Sequence, residues 1–226
     1  METPEFKTVG IVGAGAMGRG IAQIAAQAGS KVLLFDTQAD AVAKARESVA
    51  AQWDKLVEKG RIDAAAAAAQ KERVQPAATL ADLAPCDLIV EAIVERLDVK
   101  KGLFAELEGI VQPTAVLATN TSSLSVTAIA AGLKRPQQFA GFHFFNPVPL
   151  MKVVECIAGL KTDPAVCQRL GRVTLATQRD HIKPLAEGGT DDASNVQGLC
   201  AACHDAKTKA EAARGVRRIW QGYRQP

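Results

Sequence analysis

Aromatic side chains are scarce in this chain: seven Phe, two Trp and one Tyr make up 4% of 226 residues. With 41 alanines alongside them, that scarcity argues against an all-β sandwich and for a helix-rich α/β chain. No stretch approaches the roughly 18 uncharged apolar residues that cross a bilayer, so a helical membrane span is excluded. The first eight residues carry three charges and no apolar run, unlike a secretory leader. A soluble, cytoplasmic protein with no membrane partner is expected. Cysteine is sparse as well, five residues and an odd number, which speaks against a disulfide framework and leaves free thiols or metal ligands. What remains is ordinary globular composition, 48% hydrophobic and 23% charged, in a length that suits one large or two small domains.

The net charge of +3 is unevenly spread. Residues 1–160 hold 16 Lys and Arg against 17 Asp and Glu, whereas residues 161–226 hold 11 against 7. Three of the five cysteines and two of the three histidines also fall in those last 66 residues. Two units of different character are therefore expected, residues 1–162 and 163–226.

The first unit opens with a β-branched run, Lys7-Thr-Val-Gly-Ile-Val12, then Gly13-Ala-Gly15-Ala-Met-Gly18, then an apolar helical stretch, Ile21 to Ala28. Strand, glycine turn and helix form the pattern that cradles a dinucleotide. Gly13 permits the tight turn, Gly15 lets the backbone approach a pyrophosphate, and Gly18 lets helix and strand pack closely. A helix N-terminus then faces the phosphates. The next strand pattern, Lys31 to Phe35, ends in Asp36, whose carboxylate can accept ribose hydroxyls and would repel the extra phosphate of NADP. NAD is the expected cofactor. Further helices are read over 40–59 and 99–108 with an alanine-rich arm over 64–73, and further strands over 86–91, 115–118 and 139–142. On spacing alone, His143 would be a buried core histidine, Ser122 a turn residue and Glu155 a surface charge.

The residues nevertheless resemble a family, the NAD-binding domain of 3-hydroxyacyl-CoA dehydrogenases. The resemblance runs over about 5–160 and is carried by Gly13-Ala-Gly-Ala-Met-Gly18, Val90-Glu-Ala-Ile-Val-Glu-Arg-Leu-Asp-Val-Lys100, Ala118-Thr-Asn-Thr-Ser-Ser-Leu124 and Gly141-Phe-His-Phe-Phe-Asn-Pro-Val-Pro-Leu-Met-Lys-Val-Val-Glu155. It implies a Rossmann-type doubly wound α/β sheet and oxidation of a 3-hydroxyacyl-CoA, of the 3-hydroxybutyryl type, to the 3-oxoacyl-CoA. It implies His143 as general base, Glu155 as its orienting partner, and Ser122 beside the substrate oxygen and nicotinamide. Glu95 and Lys100 would lie along the nicotinamide ribose, and Lys59 is a weaker candidate for touching coenzyme A. The family also has a second, all-helical domain that closes over the thioester and forms the dimer. The residues after Thr162 do not follow its pattern, so impaired turnover is expected and the oligomeric state stays open.

The tail has its own pattern: Cys167, Asp180-His181, Asn195 and Cys200-Ala-Ala-Cys203-His204. Two short strands around a glycine turn and then a helix from about Cys200 are the coarse reading. Cys-x-x-Cys with a third cysteine a hairpin away is the arithmetic of a structural zinc site, with Pro164 where a fourth ligand would stand; a redox-active Cys-x-x-Cys is the alternative. This segment resembles HNH endonucleases over about 165–210. The resemblance implies a small ββα-metal module in which Cys167, Cys200 and Cys203 hold zinc. Asp180 and His204 would bind a catalytic divalent metal, His181 would activate water, and Asn195 would orient the histidine loop. DNA is then a partner, reached through the positive charge of the tail; Arg214, Arg217, Arg218 and Arg224 also suit a solvated basic tail. Three readings stand side by side: an NAD-dependent dehydrogenase, a metal-dependent endonuclease, and an inactive fusion of two truncated domains.

Overall fold

The protein is described here by a computed structural model that covers residues 4–38, 40–151 and 153–171 in full, and the backbone of 178–181 and 196–199. Along β1 (Thr8–Val12), Val9 and Ile11 enter one hydrophobic core while Val12 enters another. Successive side chains of a strand point to opposite faces, so this sheet has no wet side. The alternation recurs in β2 (Lys31–Phe35), where Val32 and Leu34 face the first core and Leu33 the second. It recurs again in β4 (Leu88–Glu91) and β5 (Val116–Thr119), whose Ile89 and Leu117 join Leu33. A sheet apolar on both faces must be covered on both faces, and helical crossovers between parallel strands achieve that.

The helices are patterned to match. α1 (Ala16–Gln27) and α2 (Ala41–Glu58) supply Ile21, Ala22, Ala26, Val49 and Trp53 to the first core. α4 (Leu97–Ile110) and α5 (Val126–Ala130) supply Phe104, Leu107 and Ile129 to the second. There the Phe104 ring meets Phe139 edge-on, with centroids 4.7 Å apart. The alanine-rich α3 (Ala64–Arg73) starts at Asp63, whose carboxylate accepts the Ala66 amide as a helix cap. It packs against α2.

With β3 (Val74–Pro76), β6 (Phe139–Phe144) and β7 (Val154–Ala158), the strands form one seven-stranded sheet in the order β3-β2-β1-β4-β5-β6-β7. All neighbours are parallel except β6 and β7. This is the doubly wound Rossmann-type sheet, with its switch point between β1 and β4. Within residues 4–162 the strands and helices read from the sequence are present with small shifts of boundary, and β3, α5 and β7 carry too little periodicity to be read; the helix expected from about Cys200 lies outside the described residues.

The chain divides into two compact units, Met1–Val173 and Thr174–Pro226. The first runs past Thr162 because α6 (Pro164–Leu170) packs on β6 and β7. Val166, Cys167 and Leu170 are buried there. Arg169 pairs with Glu5 at 2.9 Å and lies over the Phe6 ring, tying the helix to the start of the chain. Pro164 opens this helix rather than standing in a metal loop. In the second unit β8 (Gln178–His181) pairs antiparallel with β9 (Val196–Leu199), with His181 opposite Val196. Two strands were expected there. The side chains of Asp180 and His181, together with Asn195, Cys200, Cys203, His204 and the tail arginines, lie outside the described residues.

Helix α4 offers a paired test of this packing. Phe104→Ala, which empties a fully buried site, should lower unfolding free energy by about 3 to 5 kcal/mol. Gly102→Ala, where an added methyl meets no neighbour within 4 Å, should raise it by about 0.4 to 1 kcal/mol. Denaturant titration followed by circular dichroism measures both.

Candidate active site

The carboxyl ends of the parallel strands converge on one edge of the sheet, where ligands bind in this architecture. At β1 the chain turns through Gly13, whose φ of +102° belongs to the left-handed region and whose amide donates to the Phe35 carbonyl. A Cβ on Gly13 would stand 2.6 Å from the Ala92 oxygen, and one on Gly18 only 1.7 Å from the Gly13 oxygen. Neither position accepts another residue without moving the turn. Gly15 is different: a Cβ there meets no protein atom within 4 Å. The space before the first turn of α1 is open, which fits a pyrophosphate. Asp36, at the end of β2, accepts the Ala14 amide at 2.7 Å and the Gln38 amide at 2.9 Å. Its carboxylate thus fixes the glycine turn.

Across the switch point lies a cavity of about 340 Å³. Its wall includes Ala92 and Glu95 after β4, Asn120 and Ser122 after β5, and His143 and Asn146 after or at the end of β6. The structure therefore brings together Glu95, Ser122 and His143. His143 and Glu155 face each other in the β6–β7 register, and Nδ1 of the imidazole lies 2.9 Å from Oε2 of the carboxylate. A carboxylate on Nδ1 selects the tautomer with its proton there and leaves Nε2 with a lone pair, the form that takes a proton from a hydroxyl. The imidazole also lies 4.7 Å, centroid to centroid, from the Phe145 ring.

Behind this wall sits a buried ionic array. Lys100 Nζ is 2.6 Å from Glu91 Oε1 and 3.2 Å from Glu95 Oε2, with Lys100 and Glu91 fully buried. Glu91 also accepts from the Ile93 amide and the Thr119 hydroxyl, each at 2.7 Å. Glu95 accepts through its other oxygen from the Thr121 hydroxyl and from the amides of Ser122 and Ser123 at 3.0 and 3.1 Å. Burial pushes the Glu95 carboxyl up, but Thr121, the Lys100 ammonium and the Ser122 amide outweigh it and hold the group below the usual carboxylate range. Lys100, expected along the ribose, thus stands behind Glu95 and reaches the cavity only through it, because its ammonium is consumed by two carboxylates.

Sequence reasoning did not find Glu91 or Asn120. The Asn120 side chain accepts the Phe144 amide at 2.8 Å and joins the loop after β5 to the strand that carries His143. Asn146 lines the cavity as well. A carboxylate in the apolar run Leu-Ile-Val-Glu91, nine residues before a lysine, was the available signal for the array.

Lys59 ends α2. Cys167, expected around zinc with Cys200 and Cys203, lies instead in the core of the first unit beside Cys156. Its helix presents Val166, Cys167 and Leu170 to the sheet, and a thiol there is packed as a small apolar group. The Cys156 thiol is held above the usual thiol range by its hydrogen bond with Cys167 and by burial. Among the described residues no cluster of His, Cys, Asp and Glu could hold a metal ion, and no helix among them is long and apolar enough to cross a membrane.

Comparison with known proteins agrees with this geometry. Residues 8–184 match the family described as 3-hydroxyacyl-CoA dehydrogenase, NAD binding domain, and residues 165–210 match the HNH endonuclease family. The 3-hydroxyadipyl-CoA dehydrogenase of Escherichia coli is 42% identical over 177 residues, covering 78% of this chain and 37% of that protein. The 3-hydroxybutyryl-CoA dehydrogenase of Bradyrhizobium diazoefficiens is 43% identical over 160 residues, covering 71% of this chain and 55% of that protein. Among solved structures, the (S)-3-hydroxybutyryl-CoA dehydrogenase of Ralstonia eutropha superposes with a TM-score of 0.69 at 39% identity, over 74% of this chain and 62% of that one. The chain spans between about a third and two thirds of the length of these relatives. By the extent of the first match, the chain belongs to the 3-hydroxyacyl-CoA dehydrogenase family, with residues 8–184 matching its NAD-binding domain.

Proposed function

We propose that the first unit oxidises the 3-hydroxyl of a 3-hydroxyacyl-CoA, of the 3-hydroxybutyryl type, to the ketone. The observation that carries this reading is the His143–Glu155 pair, whose imidazole lies in the same cavity wall as Ser122 and Glu95. Gly13, Gly15, Gly18 and Asp36 would hold the dinucleotide, whose nicotinamide, when bound, accepts a hydride. The chain's own task is to take the proton. Nε2 of His143 receives it from the hydroxyl, and Glu155 steadies the imidazolium that results. Ser122 stands in the same wall with its hydroxyl available to the substrate oxygen. Its loop is held by Glu95, so that oxygen meets a fixed donor. The names of the relatives, which act on 3-hydroxybutyryl- and 3-hydroxyadipyl-CoA, support the thioester class.

His143→Gln should lower kcat for 3-hydroxybutyryl-CoA oxidation by about 10²- to 10⁴-fold, with NADH affinity and melting temperature near the parent values. Glu155→Gln should fall between the two. Stopped-flow NADH formation and fluorescence titration measure these, and a His143→Gln protein with undiminished turnover would overturn the proton-acceptor role. The parent should also bind NADH well ahead of NADPH, since Asp36 repels a ribose phosphate. Asp36→Ala should weaken NADH binding and narrow that preference, and equal affinity of the parent for both would exclude the role given to Asp36.

A second reading belongs to the second unit. Its match to HNH endonucleases, together with the β8–β9 pair that carries Asp180 and His181, supports a metal-dependent endonuclease acting on DNA. Divalent metal bound by Asp180 and His204 would polarise the scissile phosphate while His181 activates water. Plasmid nicking by the 226-residue chain should then require added divalent metal and disappear in His181→Ala. Nicking that persists in that variant would assign the activity elsewhere.

A further inference from the structure

Buried charge is costly and is kept only where it is paired, hydrogen-bonded or used. The Glu91–Lys100–Glu95 array satisfies the first two conditions, yet it is not charge-balanced: two carboxylates surround one ammonium. Both oxygens of Glu91 and both of Glu95 are engaged inside the protein, Glu95 Oε1 by the Thr121 hydroxyl and the Ser122 and Ser123 amides and Oε2 by the Lys100 ammonium. The remaining excess of one negative charge points the only way the array opens, through Glu95, whose side chain is 36% exposed while Lys100 and Glu91 have none. Glu95 lines the cavity that holds His143 and Ser122.

On the dehydrogenase reading, hydride and proton leave the same carbinol, so the nicotinamide ring must lie in the cavity that contains the proton acceptor. That ring is positively charged in NAD⁺ and neutral in NADH. An uncompensated charge in the cavity wall acts on one form and not on the other. We infer that the buried Glu91–Lys100–Glu95 array sets the relative affinity of the site for oxidised and reduced cofactor, its net negative charge favouring NAD⁺. Glu91 acts here as a positioning residue: it touches neither substrate nor cofactor, and works through Lys100. The inference rests on the proposed dehydrogenase function. It also gives a reason for a carboxylate inside the apolar run of β4, where packing alone would place a leucine or valine.

The test changes the charge while keeping the shape. In Glu91→Gln the array becomes neutral, and the ratio Kd(NAD⁺)/Kd(NADH) should rise on the order of tenfold, the scale on which a unit charge acts across a protein interior. In Lys100→Gln the array carries two negative charges, and the ratio should fall by a similar factor. The double variant Glu91→Gln/Lys100→Gln returns the net charge to that of the parent, and its ratio should return with it. NADH is titrated by its fluorescence and NAD⁺ by competition against it, on the full 226-residue chain, with a melting curve for each variant. A merely structural role would weaken both forms together and would not reverse sign between the two single variants. Ratios that stay equal across the variants, or move in the same direction in both single variants, would overturn the inference while leaving the dehydrogenase reading intact. If Glu91→Gln does not fold, the fall in ratio in Lys100→Gln decides the matter alone. A parent chain that binds neither NAD⁺ nor NADH would instead defeat the functional reading on which this one stands.

Discussion

A lysine ammonium with no exposure to water can persist only with its countercharges held in place, and in this protein that requirement organises the region around the cavity. Glu91 ends β4, Lys100 sits one turn into α4, and Glu95 lies in the connection between them. The ion pairs therefore close the β4–α4 crossover on itself. Thr119 at the end of β5 adds its hydroxyl to Glu91, and the loop after β5 hangs from Glu95 by two amides. If the ammonium lost its partners, the end of β4, the start of α4 and the loop bearing Ser122 would lose their common anchor. Removing one member of a buried pair leaves the other uncompensated, which is why such arrays, once formed, are rigid.

The His143–Glu155 pair depends on a different feature of the sheet. Parallel neighbours would have placed the partner of His143 on a strand reached by a long crossover. The antiparallel β7 instead brings Glu155 back directly opposite His143, across one strand spacing. A doubly wound parallel sheet with an antiparallel edge strand thus carries the glycine turn on its parallel part and the His143–Glu155 pair on its edge. The two meet because Asn120, at the end of a parallel strand, accepts the amide of Phe144 at the end of the strand next to it. Distance along the chain is large and distance in space is one hydrogen bond.

What the sequence disclosed follows from how each signal is generated. The glycine turn was legible because sterics, not packing, choose its residues: Gly13 and Gly18 stand where a Cβ would collide with backbone. β1, β2, β4 and β5 were legible because strands buried on both faces read as unbroken apolar runs. β3 and β7 were not, since three residues ending in proline and five interrupted by a glutamate carry no such run. His143 and Glu155 became legible only through their family context. Twelve residues apart, they have no local relation, and it is the strand register that makes them partners. Glu91 escaped notice because a carboxylate at a strand end looks like a surface charge until the lysine that buries it is in view.

The same contest between local pattern and packing decides the assignment of Cys167. Two family matches overlap across residues 165–184, and they ask opposite things of this thiol. A zinc ligand must be a thiolate facing a metal and its other ligands. A core residue must be a small, protonated, apolar group. Spacing from Cys200 and Cys203 favours the first, but spacing within the helix favours the second: Val166, Cys167 and Leu170 share one face, and that face covers β6 and β7. Arg169, turned the other way, holds the helix to Glu5 and Phe6. Helix and sheet together bury three apolar side chains and engage one guanidinium, whereas extraction of Cys167 toward a metal would expose all of them for one ligand bond. The first unit therefore keeps residues 164–171, and a metal in the second unit would draw on donors other than Cys167.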